Sequence, residues 1–240
     1  MKHLYFRSKV TRFVILFVGR TGSTYLQQLL DSHPNIRCLP EALEGIKDSD
    51  RQFEKINGAW SPPILGQYGA MGFKTKLVDV VDPEGFADLL VRNHVSIIHL
   101  QRRNRIKAAV SYHNAQRLWE KTGKWNVYNE KDREGKLYIN PVEFNQSLQR
   151  REENENNLSE FIRQLDLPTL SIDYSDLLLN LDRMLRTIFE FLKVENKPLL
   201  SKVKKATSDD LRKNLENFEE LRSQYIGTPY EWMFDEVLVP

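Results

Sequence analysis

One stretch governs what this chain can fold into: Phe13-Val14-Ile15-Leu16-Phe17-Val18-Gly19-Arg20-Thr21-Gly22-Ser23-Thr24-Tyr25-Leu26-Gln27-Gln28-Leu29-Leu30. Phe13 to Val18 is unbroken apolar, β-branched and aromatic, which suits a strand buried on both faces of a parallel sheet. Gly19 and Gly22 interrupt it. Ser23 or Thr24 can then cap a helix, and Leu26, Leu29 and Leu30 recur on one helical face. A strand that turns through glycine into a helix N-terminus makes an anion site, because free backbone N–H groups and the helix dipole both favour negative charge there. Arg20, Thr21, Ser23 and Thr24 add side-chain donors. The spacing predicts a phosphate- or sulfate-binding loop; its bland alternative is an ordinary glycine turn. Gly19 and Gly22 stand too close for G-x-x-x-x-G-K-[ST], and no lysine follows Gly22, so a nucleotide triphosphatase is disfavoured.

Further strands are read at Met71 to Leu77, Val95 to Leu100 and Pro168 to Ile172, with a short one at Ile36 to Leu39. Pro40-Glu41-Ala42-Leu43 reads as a helix start with proline in first position. Asp48 to Gly69 reads as irregular, with at most one helical piece. Helices are expected from Asp82-Pro83 to about Val91, from Asn104 onward, and from Asn140-Pro141-Val142-Glu143 to about Gln164. The charged middle of the last, Arg150 to Asn157, reads as a solvated face. Gly123 to Gly135 is a polar loop. Tyr174-Ser175-Asp176-Leu177 opens a helical pair, and Ser208 to Tyr225 looks like an amphipathic helix. This alternation predicts one α/β domain over 1–240, a P-loop-like doubly wound parallel sheet flanked by helices. Ligands of such sheets bind at the carboxyl ends of the strands. That brings the Arg20 loop, Lys74 to Lys76 and the segment after Leu100 to one edge.

Lys+Arg at 35 against Asp+Glu at 33 leaves a net charge of only +2. Binding to a nucleic-acid polymer is not expected, although a local basic site is compatible with it. The longest apolar run is too short to span a membrane, and Gly19-Arg20 interrupts it before any secretory cleavage site. The single cysteine, Cys38, excludes an intrachain disulfide and a multi-cysteine zinc site and is consistent with a reducing, cytoplasmic setting. No His, Cys and carboxylate spacing suggests a metal, so none is expected.

After the strand ending at Leu100 comes a second basic stretch: Gln101-Arg102-Arg103-Asn104-Arg105-Ile106-Lys107-Ala108-Ala109-Val110-Ser111-Tyr112. Arginines at a strand's carboxyl end, opening a helix, suit bidentate phosphate contacts, and Ser111 can add a hydroxyl donor. A solvated basic turn is the alternative.

Together the two stretches resemble the sulfotransferases that use 3′-phosphoadenosine 5′-phosphosulfate (PAPS). Phe17 to Leu26 resembles their 5′-phosphosulfate loop. Arg103-Asn104, followed by Ala109-Val110-Ser111-Tyr112, resembles their 3′-phosphate motif with its Arg-to-Ser spacing intact. Phe73-Lys74-Thr75-Lys76-Leu77 is similar to the Lys-Thr-His-Leu segment of the cytosolic members. Tyr174-Ser175-Asp176-Leu177 with Phe191-Leu192 is similar to a later helix start. Ser32-His33-Pro34-Asn35 and Gln116 to Trp125 resemble bacterial glycan and glycolipid members. The resemblance covers roughly Phe13 to Val194.

It implies the sulfotransferase fold and transfer of a sulfuryl group from PAPS to a hydroxyl, of a glycan or glycoconjugate, without a metal. Gly19, Arg20, Thr21, Gly22, Ser23, Thr24 and Tyr25 would cradle the 5′-phosphosulfate; Arg103 and Ser111 would hold the 3′-phosphate. Arg20 stands where cytosolic members keep a loop lysine. Lys76 stands where they keep a catalytic histidine, and a protonated lysine is a poor base. Glu41, placed like the base of some bacterial members, is preferred; its alternative is a helix-start carboxylate. Lys74 would be a second cation at the sulfuryl group, or a structural ion pair. His113, just after the Ser111 motif, reads as a surface or packing residue, its alternative being a side chain that faces the acceptor; His33 reads as packing its turn. Trp119 and Trp125 suit either a sugar site or the core. Lys204, Lys205, Arg212 and Lys213 form a basic cluster, either closing over the nucleotide or solvated. The rivals are a P-loop nucleotide kinase and an inactive nucleotide-binding module.

Overall fold

A computed structural model describes residues 10–61, 68–123, 125, 135–197, 199 and 209–238. Strands β1 (Thr11–Phe17), β2 (Ile36–Glu41), β3 (Ala70–Thr75), β4 (Ser96–Gln101) and β5 (Thr169–Asp173) form one sheet. Their order across it is β2-β3-β1-β4-β5, and every pairing is parallel. The helices are α1 (Ser23–Asp31), α2 (Ser49–Trp60), α3 (Pro83–Arg92), α4 (Arg105–Thr122), α5 (Pro141–Gln164), α6 (Tyr174–Leu179) and α7 (Leu181–Leu192), then short α8 (Phe218–Ser223) and α9 (Glu231–Asp235).

The central strand explains its own composition. Phe13, Ile15 and Phe17 of β1 pack with Leu26 and Leu29 of α1 and with Ile188 and Phe189 of α7. Val14 and Leu16 face the other way, against Ile56 of α2, Phe86 and Leu90 of α3, and Leu158 and Ile162 of α5. Both faces are covered, so the strand carries no polar alternation. A third cluster, including Ile106, Phe144, Leu148, Phe218 and Phe234, ties α4 and the start of α5 to the C-terminal elements. From β1 the chain goes to β2 and β3 on one side; from β4 it goes to β5 on the other. The loops after β1 and β4 therefore part at the topological switch point, where doubly wound sheets open a crevice for ligands. Among the described residues no helix is long and apolar enough to cross a membrane.

Several local expectations are corrected. Pro40-Glu41 does not start a helix: it ends β2, an edge strand, where a proline is tolerated because one side of its backbone goes unpaired. The helix begins at Ser49, capped by Asp48, whose side chain accepts from the Arg51 N–H at 2.9 Å, and it runs for 12 residues. The N-cap of α1 is Gly22 in a left-handed conformation, not Ser23 or Thr24. Asp173, not Tyr174, caps α6. β3 stops at Thr75, before a 3-10 turn at Leu77–Asp79. The described part of the tail is broken into a 3-10 turn (Leu211–Lys213) and α8. Most of the Gly123 to Gly135 loop, with Lys204, Lys205 and Ser208, lies outside the described residues.

Candidate active site

The turn after β1 is held in an unusual backbone shape. Arg20 has φ 66° and Gly22 φ 79°, both left-handed, and for arginine that conformation is uncommon. A Cβ on Gly22 would lie 2.4 Å from two ring carbons of Tyr174. Glycine is needed there both for its φ and for the close approach of Tyr174. Gly22→Ala is expected to destabilise the protein by about 2–4 kcal/mol, from left-handed strain plus overpacking. Urea denaturation measures it, and a loss of only about 1–2 kcal/mol, the left-handed strain alone, would show that the ring moves aside freely.

Three arginines converge on this turn. The Arg20 side chain reaches across to α4, its Nε donating to Ser111 Oγ at 3.0 Å and its Nη1 to the Trp125 carbonyl at 3.2 Å. Arg102 donates from Nη1 to the Arg20 carbonyl at 3.2 Å and lies over the Tyr174 ring, 4.9 Å from its centroid. Arg151 of α5 donates from Nη1 to the Gly19 carbonyl at 2.8 Å. Burial lowers the pKa of both Arg20 and Arg102, and for Arg20 the neighbouring Arg102 adds to the effect. Tyr174 is pushed up by burial. Thr21 is buried, and its hydroxyl has no hydrogen-bond partner among the described residues.

Behind the turn lies an ion cluster. Lys74, 2% exposed on β3, donates to Ser23 Oγ at 3.3 Å, Thr24 Oγ1 at 2.9 Å and Glu41 Oε1 at 3.1 Å. Lys76 approaches the other oxygen of Glu41 at 2.9 Å, and also Glu44 and Asp79, each at 3.3 Å. A register shift explains how Glu41 arrives there. Leu39 pairs with Phe73, then β2 skips Pro40 and sets Glu41 opposite Lys74. Burial alone would raise the Glu41 carboxyl, but Lys74 and Lys76 outweigh it and hold the pKa below the ordinary value. Burial would lower Lys76, but the Glu41 carboxylate, with Asp79 and Glu44, raises it instead.

These groups open on one cleft of about 1100 Å³ at the carboxyl edge of the sheet. Of the residues expected from the sequence, Gly19, Arg20, Gly22, Ser23, Thr24, Tyr25, Glu41, Lys76 and Ser111 line it. Thr21 and Lys74 lie buried in the turn and on β3. Arg103 is placed differently. Its side chain is 66% exposed, with Nε 3.4 Å from Asp173 and Nη2 3.7 Å from Asp176. It borders a small recess beside the cleft, whereas Arg102 lines both.

Arg102 was passed over within the basic stretch, and Arg151 was hidden in a segment read as a solvated face. The signal for Arg151 was its spacing: Phe144, Leu148, Arg151, Leu158 and Ile162 form one buried helical stripe. His113 packs on Phe144 and meets Ser147 Oγ at 3.1 Å, and His33 meets the Glu195 carbonyl at 3.0 Å, both in the packing roles expected. Trp119 and Trp125 are not core residues: about half exposed, they stack at 5.8 Å, and Trp125 lines the cleft. Arg212 is paired with Asp235 and lies over the Phe218 ring. No group of three or more metal-ligating side chains is present among the described residues.

No family model matches the chain. It is 25% identical over 236 residues to Nodulation protein H of Rhizobium tropici, covering 93% of this chain and 92% of that protein. Among solved structures it is similar to a sulfotransferase from Alicyclobacillus acidocaldarius, at 16% identity and TM-score 0.49, over 96% of this chain and 98% of that one. It is also similar to a sulfotransferase from Mycobacterium avium, at 14% identity and TM-score 0.47, over 96% and 79%. The two basic loops of the sequence lie side by side at the carboxyl edge of a parallel sheet, and the chain is similar over nearly its whole length to Nodulation protein H.

Proposed function

We propose that the protein transfers the sulfuryl group of PAPS to a hydroxyl of a glycan or glycoconjugate. The observation that carries this is the Arg20–Ser111 hydrogen bond, which joins the 5′ loop and the 3′ motif across a single cleft. The fit is further supported by the orphaned Thr21 hydroxyl within the turn. PAPS supplies an activated sulfuryl group. Since that group carries less charge than a phosphoryl group, fixed cations suffice to stabilise its displacement. In this reading Arg20 and Lys74 supply those cations at the turn. Glu41 takes the proton of the acceptor hydroxyl. Lys76 stays protonated at neutral pH, so it positions Glu41 and does not replace it. The 3′-phosphate is held by Ser111 and the arginines that follow β4. Trp119 and Trp125 offer flat apolar faces of the kind that sugar CH groups pack against, which supports a glycan acceptor. One buried cysteine suits a reducing, cytoplasmic setting.

Calorimetry of PAP against ADP tests the reading. Wild-type protein is expected to prefer PAP by tenfold or more, about 1.4 kcal/mol. The resemblance assigns the 3′ contact to Arg103, and the geometry adds Arg102. Because Asp173 and Asp176 already engage Arg103, Arg102→Ala is expected to erode the preference more than Arg103→Ala. Equal binding of PAP and ADP by the wild type would favour a P-loop phosphotransferase. Tight PAP binding without turnover of any acceptor, and indifference to Glu41→Gln, would favour an inactive binding module.

A further inference from the structure

Arg151 is the most unusual charge in the cleft wall. It is 7% exposed, in the middle of a long helix, and burial pushes its pKa down to about 10. Nη1 is given to the Gly19 carbonyl, and Nε lies 2.8 Å from Glu155. Nη2 is buried and has no hydrogen-bond partner among the described residues. Glu155 does not neutralise it fully, because Arg105 takes the same carboxylate at 2.6 Å. Arg105 is in turn shared with Glu152 at 2.9 Å, which also accepts from Tyr230. Arg102 and Arg105 both bear on Arg151 as like charges. A buried guanidinium N–H without an acceptor is costly, and crowding cations beside it adds to the cost. An anion bound in the cleft that Arg151 lines would relieve both.

We infer that Arg151 is a donor-binding residue, holding the turn by the Gly19 carbonyl through Nη1 and offering Nη2 to the anionic 5′ end of the sulfuryl donor. This rests on the sulfotransferase reading. Its location favours the 5′ end of the donor: it reaches the start of the 5′ loop at Gly19 from α5, whereas Ser111 and Arg103 carry the 3′ motif and Arg102, although it donates to the Arg20 carbonyl, opens that motif's stretch. The assignment differs from a purely structural one in a measurable way. A 5′ contact is lost equally for every nucleotide with a 5′-phosphate, and the discrimination of PAP from ADP is left intact. A shape-specific role for the planar guanidinium also means that an ammonium is a poor substitute.

The experiment measures Kd for PAP and for ADP by calorimetry on wild type, Arg151→Met, Arg151→Lys and Arg151→Ala, with thermal melts of each and methylguanidinium added to the last. The expected result is a loss of tenfold or more for both nucleotides in Arg151→Met, an unchanged PAP-to-ADP ratio, partial retention in Arg151→Lys, and recovery of Arg151→Ala by methylguanidinium. If Arg151→Met is unfolded, the lysine variant and the rescue carry the test. A folded Arg151→Met or Arg151→Lys with wild-type Kd for PAP overturns the inference. So does loss of the PAP preference together with the affinity, which would mean collapse of the whole site. If the wild type binds neither nucleotide, the sulfotransferase reading itself has failed, and that outcome is separate from a failure confined to the variants.

Discussion

Glu41→Gln is expected to lower kcat by about two to four orders of magnitude, the range for loss of a positioned general base, while the Kd for PAP stays within about threefold. The substitution keeps the shape and removes only the charge and the basicity. Glutamine can still accept a hydrogen bond from Lys74 or Lys76, so the turn keeps its support. The pH profile separates this base from a histidine. Lys74 and Lys76 hold the Glu41 carboxyl below its ordinary value of 4.5. Glu41 is therefore ionised throughout the neutral range, and kcat falls only as pH drops through that depressed pKa. A histidine base would instead give an acid limb near 6–7. The same sign applies to stability: the contribution of ionised Glu41 is full above the ordinary carboxyl pKa and lost as pH falls through the folded value. Full activity in Glu41→Gln, or an acid limb near 6.5 that the substitution leaves in place, would remove Glu41 from the reaction.

The fold was legible because its evidence is local and periodic. The Phe13 to Val18 run suits a strand covered on both faces, and the structure covers β1 with α1 and α7 on one side and α2, α3 and α5 on the other. The turn after it was legible from its glycines, although the capping residue was not: Gly22 occupies the cap because Tyr174, about 150 residues later, closes against it. Long-range contacts of that kind leave no mark in a window of sequence. Glu41 shows the same limit. Proline followed by glutamate reads locally as a helix start, yet pairing with β3 makes it the end of an edge strand, and a register shift sets its carboxylate against Lys74. Arg103 and Arg102 are adjacent and chemically identical, so only the fold tells which one the Asp173 and Asp176 carboxylates engage. Arg151 is the converse. Its position in an apolar stripe was visible, but the acidic residues around it suggested solvent.

Lys74→Met is expected to cost about two to three orders of magnitude in kcat, the scale for removing a preorganised charge from a transition state. It also changes the pH at which the remaining activity is lost. Lys74 joins the donor turn, through Ser23 and Thr24, to the proposed base Glu41. Methionine has nearly the same shape and leaves Glu41 paired with Lys76, so no carboxylate is stranded and the stability loss is expected to stay below about 2 kcal/mol. Burial, which raises the Glu41 carboxyl, then meets one cation instead of two. The Glu41 pKa rises, and the acid limb of kcat moves to higher pH than in the wild type. The two effects test different links. A fall in kcat with the limb unmoved would leave Lys74 as a cation for the sulfuryl group and deny that Glu41 is the titrating base. A moved limb with kcat unchanged at high pH would make Lys74 a tuner of Glu41 and return the transition-state charge to Arg20 alone.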